Sequence, residues 1–331
     1  MSTPLAEPAD GSCTESTERY RTESVERYRT EPTERYRTED VPVRGGNLRV
    51  GVWDSADVGA SKSPERVILA VHGVTASHRA WSLVAERLTA VPGVRVLAPD
   101  LRGRGRSADL PGPWGFAQHA VDLAAVLNRF DVGRAVLVGH SMGGFVAVIA
   151  AQRHQDRVAA LVLVDGGVPL VLPPGMSVED ALRATLGPAA ERLSMTFADR
   201  ASYERFWRQH PAFADAWSPA VASYVNYDLV PTTGGLRSSA RYEAVAQDSS
   251  ELAGDILLDA WQAVNAPTTF LRAPGGMLGA EPGLYPEPAV RNWRKLHPDF
   301  SWNDVPGVNH YTITLGASGA DAVVREVQRQ L

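Results

Sequence analysis

Residues 135–144, Ala-Val-Leu-Val-Gly-His-Ser-Met-Gly-Gly, decide the fold of this chain. The first four are apolar, which predicts a buried strand, and the apolar run at 145–151 predicts a helix. A Gly-x-Ser-x-Gly turn between a strand and a helix holds its serine on a sharp bend, with the hydroxyl exposed at the end of the sheet. The first N–H groups and the positive dipole end of the helix suit a developing oxyanion. The stretch therefore predicts that Ser141 is a nucleophile.

Composition restricts the classes of protein to which the chain can belong. The 331 residues are 44% hydrophobic and 21% charged, values typical of a globular protein. The net charge of −5 argues against a nucleic-acid partner, and no apolar run approaches the length of a membrane span. The amino-terminal residues lack the pattern of a secretory signal, and Cys13 is the single cysteine. We therefore expect a cytoplasmic protein with no membrane partner and no disulfide.

The amino-terminal segment differs from the rest in composition. Glu-Arg-Tyr-Arg-Thr-Glu occurs at 18–23, 26–31 and 34–39, a period of eight that is too short for a stacked repeat. Its alternating acids and bases predict a disordered tail over residues 1–39. The third copy runs directly into Val41-Pro42-Val43, and it is a candidate for the start of the first strand.

Apolar runs that alternate with helical spacing indicate an α/β fold with a mostly parallel sheet covered on both faces. Strands are predicted at 48–53, 66–71, 94–98, 135–138, 158–164, 268–272 and 300–305. Between the strands at 158–164 and 268–272 the alternation stops, and helical segments rich in aromatic residues take over. We assign residues 40–167 and 265–331 to the core and 168–264 to a helical cap.

This layout resembles the α/β-hydrolase superfamily over residues 40–331. Four motifs carry the resemblance, each directly after a predicted strand: His72-Gly73, Asp100-x-Arg102-Gly103-x-Gly105-x-Ser107, Gly139-His140-Ser141-Met142-Gly143, and Gly307-Val308-Asn309-His310. The resemblance implies that Ser141 is the nucleophile and that His310 is its base. It also implies an oxyanion hole formed by the backbone N–H groups of Val74 and Met142.

The third member of the triad departs from the superfamily's usual pattern. Most relatives have an aspartate in the turn that here is Ala273-Pro274-Gly275-Gly276, which contains no carboxylate. Asp165, at the end of the strand at 158–164, is the candidate we favour, because some branches of the superfamily place their acid there. Glu281, in a loop rich in glycine and proline, is the alternative.

Aromatic residues of the cap and the helix after His72 suggest an apolar pocket over Ser141. The candidates for its walls are Trp81, Phe206, Trp207 and Trp217. We interpret His72 as a support for the oxyanion loop, His140 as structural, and Arg102, Arg104 and Arg106 as supports of their own loop. Histidine spacing indicates no metal site, and no motif indicates a cofactor.

The expected function is cofactor-free hydrolysis of a carboxylic ester or lactone of a small hydrophobic molecule, through an acyl-enzyme on Ser141. Carbon–carbon bond hydrolysis, thioesterase and perhydrolase activity use the same triad and stay open as alternatives. A ligand-binding protein that kept the fold without turnover is a further alternative. A homodimer is compatible with the sequence, which does not specify the oligomeric state.

Overall fold

A central sheet organises the computed structural model, which describes residues 35–58, 63–170, 188–252 and 255–331. The strands are β1 (Tyr36–Val43), β2 (Gly46–Asp54), β3 (Arg66–Val71), β4 (Val94–Pro99), β5 (Ala135–His140), β6 (Val158–Val164), β7 (Leu229–Thr232), β8 (Gly235–Ser238), β9 (Thr268–Arg272) and β10 (Ser301–Asp304). Eight of them form one sheet in the order β1-β2-β4-β3-β5-β6-β9-β10. Pairing is antiparallel for β1 with β2 and for β2 with β4, and parallel from β4 to β10.

Helices cover both faces of this sheet. The α-helices of the described residues are α1 (Ser82–Leu88), α2 (Phe116–Arg129), α3 (Met142–Arg153), α4 (Pro188–Glu191), α5 (Arg200–Arg208), α6 (Pro219–Tyr227), α7 (Tyr242–Ser250), α8 (Asp255–Ala263), α9 (Glu287–Leu296), α10 (Thr312–Leu315) and α11 (Ala317–Gln328). One apolar cluster joins α2 and α3 to one face, and a second joins α1 and α11 to the other. Burial on both faces explains why the parallel strands are continuous apolar runs.

The first strand begins inside the segment that we assigned to the tail. β1 takes in Tyr36 and the rest of the third repeat, which pairs in antiparallel register with β2 through a turn at Gly45. Tyr36 packs on Trp53, and its hydroxyl lies 2.9 Å from His78 Nε2. These contacts place Tyr36–Glu39 of the third copy in the sheet, so the ordered core begins before residue 40, where we had placed its start. The first two copies lie outside the described residues.

The segment between β6 and β9, which we predicted to be a helical cap, has a feature that the sequence interpretation missed. Between α6 and α7 the chain forms a two-stranded hairpin, β7–β8, whose turn contains Gly234 in the left-handed region with φ +85°. A third apolar cluster joins aromatic residues of this segment, such as Tyr203, Trp207 and Phe213, to Ala80, Tyr311 and Leu315 of the hydrolase core. Residues 171–187 of the predicted cap lie outside the described residues. Within the part of the chain that is described, no helix combines the length and apolar character needed to cross a bilayer.

Candidate active site

Ser141 lies at the carboxyl end of β5, where the chain turns into α3. Its φ is +54°, in the left-handed region that is costly for any residue with a side chain. Two hydrogen bonds hold this conformation: the Ser141 N–H donates to the Val164 carbonyl at 3.0 Å, and the Gly144 N–H donates to the Ser141 carbonyl at 2.9 Å. The turn predicted from the Gly-x-Ser-x-Gly pattern is therefore present, and it is fastened to the neighbouring strand.

Two glycines permit the close packing around this turn. A Cβ at Gly143 would lie 2.1 Å from the Val71 carbonyl oxygen, so no other residue fits there. A Cβ at Gly73 would lie 3.1 Å from Ser141 Cβ and 3.5 Å from its Oγ. The loop after β3 thus approaches the serine to van der Waals distance, which is the approach that an oxyanion hole requires.

His310 and Asp165 contact each other in the loops that follow β10 and β6. His310 Nδ1 lies 2.7 Å from Asp165 Oδ2, and Asp165 Oδ1 accepts the Ala273 N–H at 3.1 Å. Both side chains are buried, and Asp165 has a left-handed φ of +46°. A carboxylate on Nδ1 keeps the proton at that nitrogen, which leaves Nε2 able to accept a proton from a nucleophile.

The two candidate acids thus have different environments. The structure brings Asp165 to His310, whereas Glu281 is exposed on the surface. The turn Ala273–Gly276 contributes a backbone N–H to Asp165 in place of the carboxylate that most relatives have there.

His140 holds the backbone of His310 in place. Its Nε2–H donates to the His310 carbonyl at 2.8 Å, and the two rings lie 4.7 Å apart between centroids. Burial lowers the pKa of His140 well below its ordinary value, and the neighbouring His310 lowers it further. His140 therefore stays neutral while it holds the backbone of His310.

His72 orients the first candidate oxyanion donor. Its Nε2 accepts the Leu101 N–H at 2.9 Å, so its proton is on Nδ1 and is donated to the Gly73 carbonyl at 2.8 Å. Burial lowers the pKa of His72 to about 4, which keeps this pattern of one donor and one acceptor near neutral pH. In a planar trans peptide the C=O and the following N–H point in opposite directions. His72 therefore fixes the direction of the Val74 N–H through the other end of the same peptide unit.

Val74 and Met142 both have an unused backbone donor. Within the described residues, neither N–H has an acceptor in the protein. Met142 is the first residue of α3, where helical N–H groups lack intrahelical partners. These two groups are the donors that the resemblance assigned to an oxyanion hole.

Two buried arginines donate hydrogen bonds to the backbone carbonyls of Val74 and Thr75, in the loop after β3. Arg104 Nε donates to the Val74 carbonyl at 2.8 Å, and an Arg192 terminal nitrogen donates to the Thr75 carbonyl at 2.7 Å. Arg104 comes from the loop after β4 and Arg192 from the cap. The sequence interpretation gave Arg104 to the support of its own loop, and it did not identify Arg192.

Each arginine is paired with a carboxylate from the cap region. Arg104 lies 2.5 Å from Asp248, on α7, and Arg192 lies 3.3 Å from Asp228, which follows α6. Burial alone would raise the pKa of Asp248, but Arg104 and His119 lower it to about 2, so the carboxylate stays charged. The loop that carries Val74 and Thr75 is thus held by two buried ion pairs whose carboxylates both lie between β6 and β9.

A cleft above Ser141 is the pocket that these elements enclose. It holds about 370 Å³ of space outside protein atoms, its open mouth included. Lining residues come from the loop after β3, the end of β5 and the turn after it, α6, the loop after β9 and the segment after β10; they are Gly73, Val74, Thr75, Ala76, Ala80, His140, Ser141, Tyr224, Met277, His310, Tyr311, Thr314 and Leu315. Among these described lining residues there is no Asp, Glu, Lys or Arg.

The four aromatic residues proposed for the pocket walls are not among its lining residues, so that expectation is corrected. Trp81 is fully buried and packs its ring edge-on to His140. Trp207 is buried in the cap core, where Phe206 contacts it, and Trp217 lies under the Arg208 guanidinium. Cap aromatics bury their rings against each other because that removes more apolar surface from water than a pocket wall does.

Sequence reasoning missed most of the actual lining. Tyr311 directly follows His310, and that adjacency is a signal that could have identified it. Met277 gives no such signal, because only the path of the loop after β9 brings it to the pocket, and Leu315 is one of several apolar residues in the segment after His310.

The chain matches known hydrolases in sequence and in structure. The family model described as the alpha/beta hydrolase fold matches residues 66–271. Lipase LipV of Mycobacterium tuberculosis is 37% identical over 215 residues, which are 63% of this chain and 74% of the relative. The 2-(acetamidomethylene)succinate hydrolase of Mesorhizobium japonicum is 28% identical over 247 residues, which are 74% of this chain and 81% of the relative.

Solved structures agree with this assignment at the level of the fold. A crystal structure of E-2-(acetamidomethylene)succinate hydrolase superposes with a TM-score of 0.70 at 24% identity and covers 89% of this chain and 98% of its own. The thioesterase domain from the curacin biosynthetic pathway gives a TM-score of 0.67 at 22% identity, with 87% and 99% covered. On the family match, the sheet order and the placement of the four motifs, this chain belongs to the α/β-hydrolase fold family of hydrolases.

Proposed function

We propose that this hydrolase cleaves carboxylic esters or lactones of uncharged, mostly apolar small molecules through an acyl-enzyme on Ser141. The observation that carries the proposal is the contact of Asp165 with His310 Nδ1 at 2.7 Å, beside a pocket that both Ser141 and His310 line. The relative named a lipase supports an ester as the bond.

Each step uses groups already described. Ser141 Oγ attacks the ester carbonyl carbon while His310 Nε2 takes the hydroxyl proton, and Asp165 stabilises the resulting imidazolium. The N–H groups of Val74 and Met142 donate to the oxyanion of the tetrahedral intermediate. Collapse of the intermediate breaks the bond to the alcohol, which leaves with the proton from His310. A water molecule, activated by the same imidazole, then hydrolyses the acyl-enzyme and returns the serine.

The lining favours an uncharged substrate. Among its described residues there is no cation to pair with a substrate carboxylate and no acid to pair with an amine. Leaving a buried charge without a partner is costly, so a neutral acyl group is the better fit. This feature argues against a dicarboxylate such as the succinate named for one relative.

Hydrolysis of p-nitrophenyl esters of graded acyl length tests the proposal. We expect turnover by the wild-type chain, its loss in Ser141→Ala, and retention in Ser301→Ala, a matched change at the start of β10, at the opposite end of that strand from His310. A fluorophosphonate probe should label the wild type and Ser301→Ala but not Ser141→Ala. A folded wild-type protein that neither turns over these esters nor reacts with the probe would refute the proposal and support a ligand-binding role.

A further inference from the structure

We propose that the hydroxyl groups of Thr75, Tyr224 and Tyr311 form a polar subsite in this pocket that binds a second, uncharged oxygen acceptor of the substrate. This inference rests on the proposed ester hydrolysis and extends it by naming a chemical feature of the substrate. The preferred ester thus carries a ketone, ether or second ester oxygen near the carbonyl that is attacked.

The three hydroxyls share an unusual environment. Thr75, Tyr224 and Tyr311 line the same pocket as the nucleophile, and their exposures are only 7%, 5% and 6%. Within the described residues, none of the three hydroxyls has a hydrogen-bond partner in the protein. Their oxygens nevertheless keep accessible surface, unlike the fully enclosed and unpartnered Nε1 of Trp207. Hydroxyls that are nearly buried but still open to a pocket are suited to a ligand atom.

Three other buried or half-buried tyrosines in the described residues show a different arrangement. The Tyr203 hydroxyl donates to Asp228, that of Tyr227 to Asp100 at 2.8 Å, and that of Tyr285 to the Val168 carbonyl at 2.8 Å. Each of these hydroxyls is satisfied inside the protein. The pocket tyrosines are exceptions, and both of them lie beside the nucleophile.

Contacts of the two tyrosine rings and of the Thr75 backbone restrict the positions that the three hydroxyls can take. The ring of Tyr311 lies 5.1 Å from that of Phe213 and 6.0 Å from that of Trp207, and Tyr224 contacts Trp207 edge-on at 6.5 Å. The backbone of Thr75 is held by Arg192. Donors that are already ordered lose little conformational freedom on binding, which favours recognition.

The charges around the subsite select a neutral acceptor. Burial raises the pKa of Tyr311 to about 12, against the opposing effect of Arg192, and burial raises that of Tyr224 as well. Both tyrosines therefore stay protonated and can donate. Arg192 is near enough to lower the pKa of both tyrosines, but its pairing with Asp228 at 3.3 Å offsets the positive field that would attract a carboxylate. Since Thr75 directly follows Val74, the subsite adjoins the position of the substrate carbonyl.

Three p-nitrophenyl esters of nearly equal shape test the subsite. They are the pentanoate, the 4-oxopentanoate, which replaces one methylene by a ketone, and the monosuccinate, which replaces the ketone's methyl by a charged oxygen. We expect kcat/KM to be highest for the 4-oxopentanoate. The ratio of 4-oxopentanoate to pentanoate should fall about three- to tenfold in Tyr224→Phe and in Tyr311→Phe, the range of a single neutral hydrogen bond, and further in the double variant. Tyr227→Phe, a matched change outside the pocket, should keep the wild-type ratio.

Two results would overturn the inference. One is a ratio that does not respond to either pocket tyrosine, and the other is a preference for the monosuccinate, which would assign the subsite to carboxylates. Binding to Ser141→Ala, measured calorimetrically with methyl 4-oxopentanoate and methyl pentanoate, separates this inference from the proposed reaction. Equal affinities would refute the subsite whether or not the wild type hydrolyses esters, whereas absence of turnover with selective binding would refute only the proposed reaction.

Discussion

Replacing Asp165 by asparagine tests the candidate triad most directly, because the structure shows two demands on this side chain. Both carboxylate oxygens accept a hydrogen bond, one from His310 Nδ1 and one from the Ala273 N–H. An amide has one acceptor and one donor, so it can meet only one of these demands. If the amide oxygen faces Ala273, its NH₂ faces His310 and requires an unprotonated Nδ1. The proton then resides on Nε2, and the imidazole can no longer take a proton from Ser141.

The opposite orientation of the amide is also unfavourable. An oxygen that faces His310 keeps the correct tautomer, but the NH₂ then opposes the buried Ala273 N–H, which costs about 1–3 kcal/mol. The negative charge that stabilises the imidazolium is absent in either orientation. We expect kcat to fall by about 10⁴-fold, or roughly 5 kcal/mol in activation free energy, as for other triads that lose this charge.

Steady-state hydrolysis of p-nitrophenyl butyrate gives the measurement, and circular dichroism verifies that the variant is folded. The matched change Glu281→Gln removes the exposed alternative acid and should alter kcat less than twofold. An Asp165→Asn enzyme within tenfold of wild type would show that Asp165 is not the triad acid. Equal losses in the two variants would contradict the same reasoning.

Further variants test the oxyanion loop and the buried histidine beneath it. Gly73→Ala places a methyl group 3.1 Å from Ser141 Cβ, so we expect kcat to fall about tenfold to a hundredfold with little change in the thermal unfolding midpoint; a variant with full kcat would show that the loop can yield. In Arg104→Lys, one ammonium group replaces the guanidinium that binds both the Val74 carbonyl and Asp248. We expect kcat to fall about tenfold or more while KM changes less. An effect on KM alone would contradict a role of Arg104 in positioning the loop. The pKa of His72 is about 4 in the folded protein, against an ordinary value of 6.5. Between these two pH values the unfolded chain binds a proton at His72 that the folded protein does not bind. Acidification over this range therefore lowers the free energy of unfolding by about 1.4 kcal/mol per pH unit. In His72→Gln, the unfolding free energy measured with denaturant between pH 6.5 and 4 should depend on pH less steeply, by about 1.4 kcal/mol per pH unit. An unchanged pH dependence would show that His72 is not neutral in the folded protein.

Local patterns were sufficient to predict the sheet and the catalytic candidates. The apolar runs ending at Ser141 and Asp165 determine two adjacent parallel strands, and parallel strands bring their carboxyl ends to one edge. Gly307-Val308-Asn309-His310 follows the last strand at the same edge. Periodicity and turn residues fix these positions because they depend on a few neighbouring residues.

The cap could not be predicted to the same depth. Trp81 and Trp207 lie in segments with helical spacing, from which we placed them in the pocket walls. Spacing does not reveal which neighbouring element covers a given face of a helix. The ion pair of Arg192 and Asp228 joins two residues 36 positions apart, and Arg192 also binds the Thr75 carbonyl, more than a hundred residues earlier in the chain. Local patterns do not reveal contacts at such separations. The β7–β8 hairpin had a usable signal, since Thr233-Gly234-Gly235 is typical of a tight turn.

The dependence of Arg104 on Asp248 bears on how this scaffold can be re-engineered. Exchange of the insertion for that of a different hydrolase is an obvious route to new selectivity. Such a chimera would strip the counter-charge from a guanidinium sealed inside the core, a defect that costs about 3–5 kcal/mol in comparable cases. Grafts should therefore retain an acidic residue at position 248, or replace the arginine at the same time.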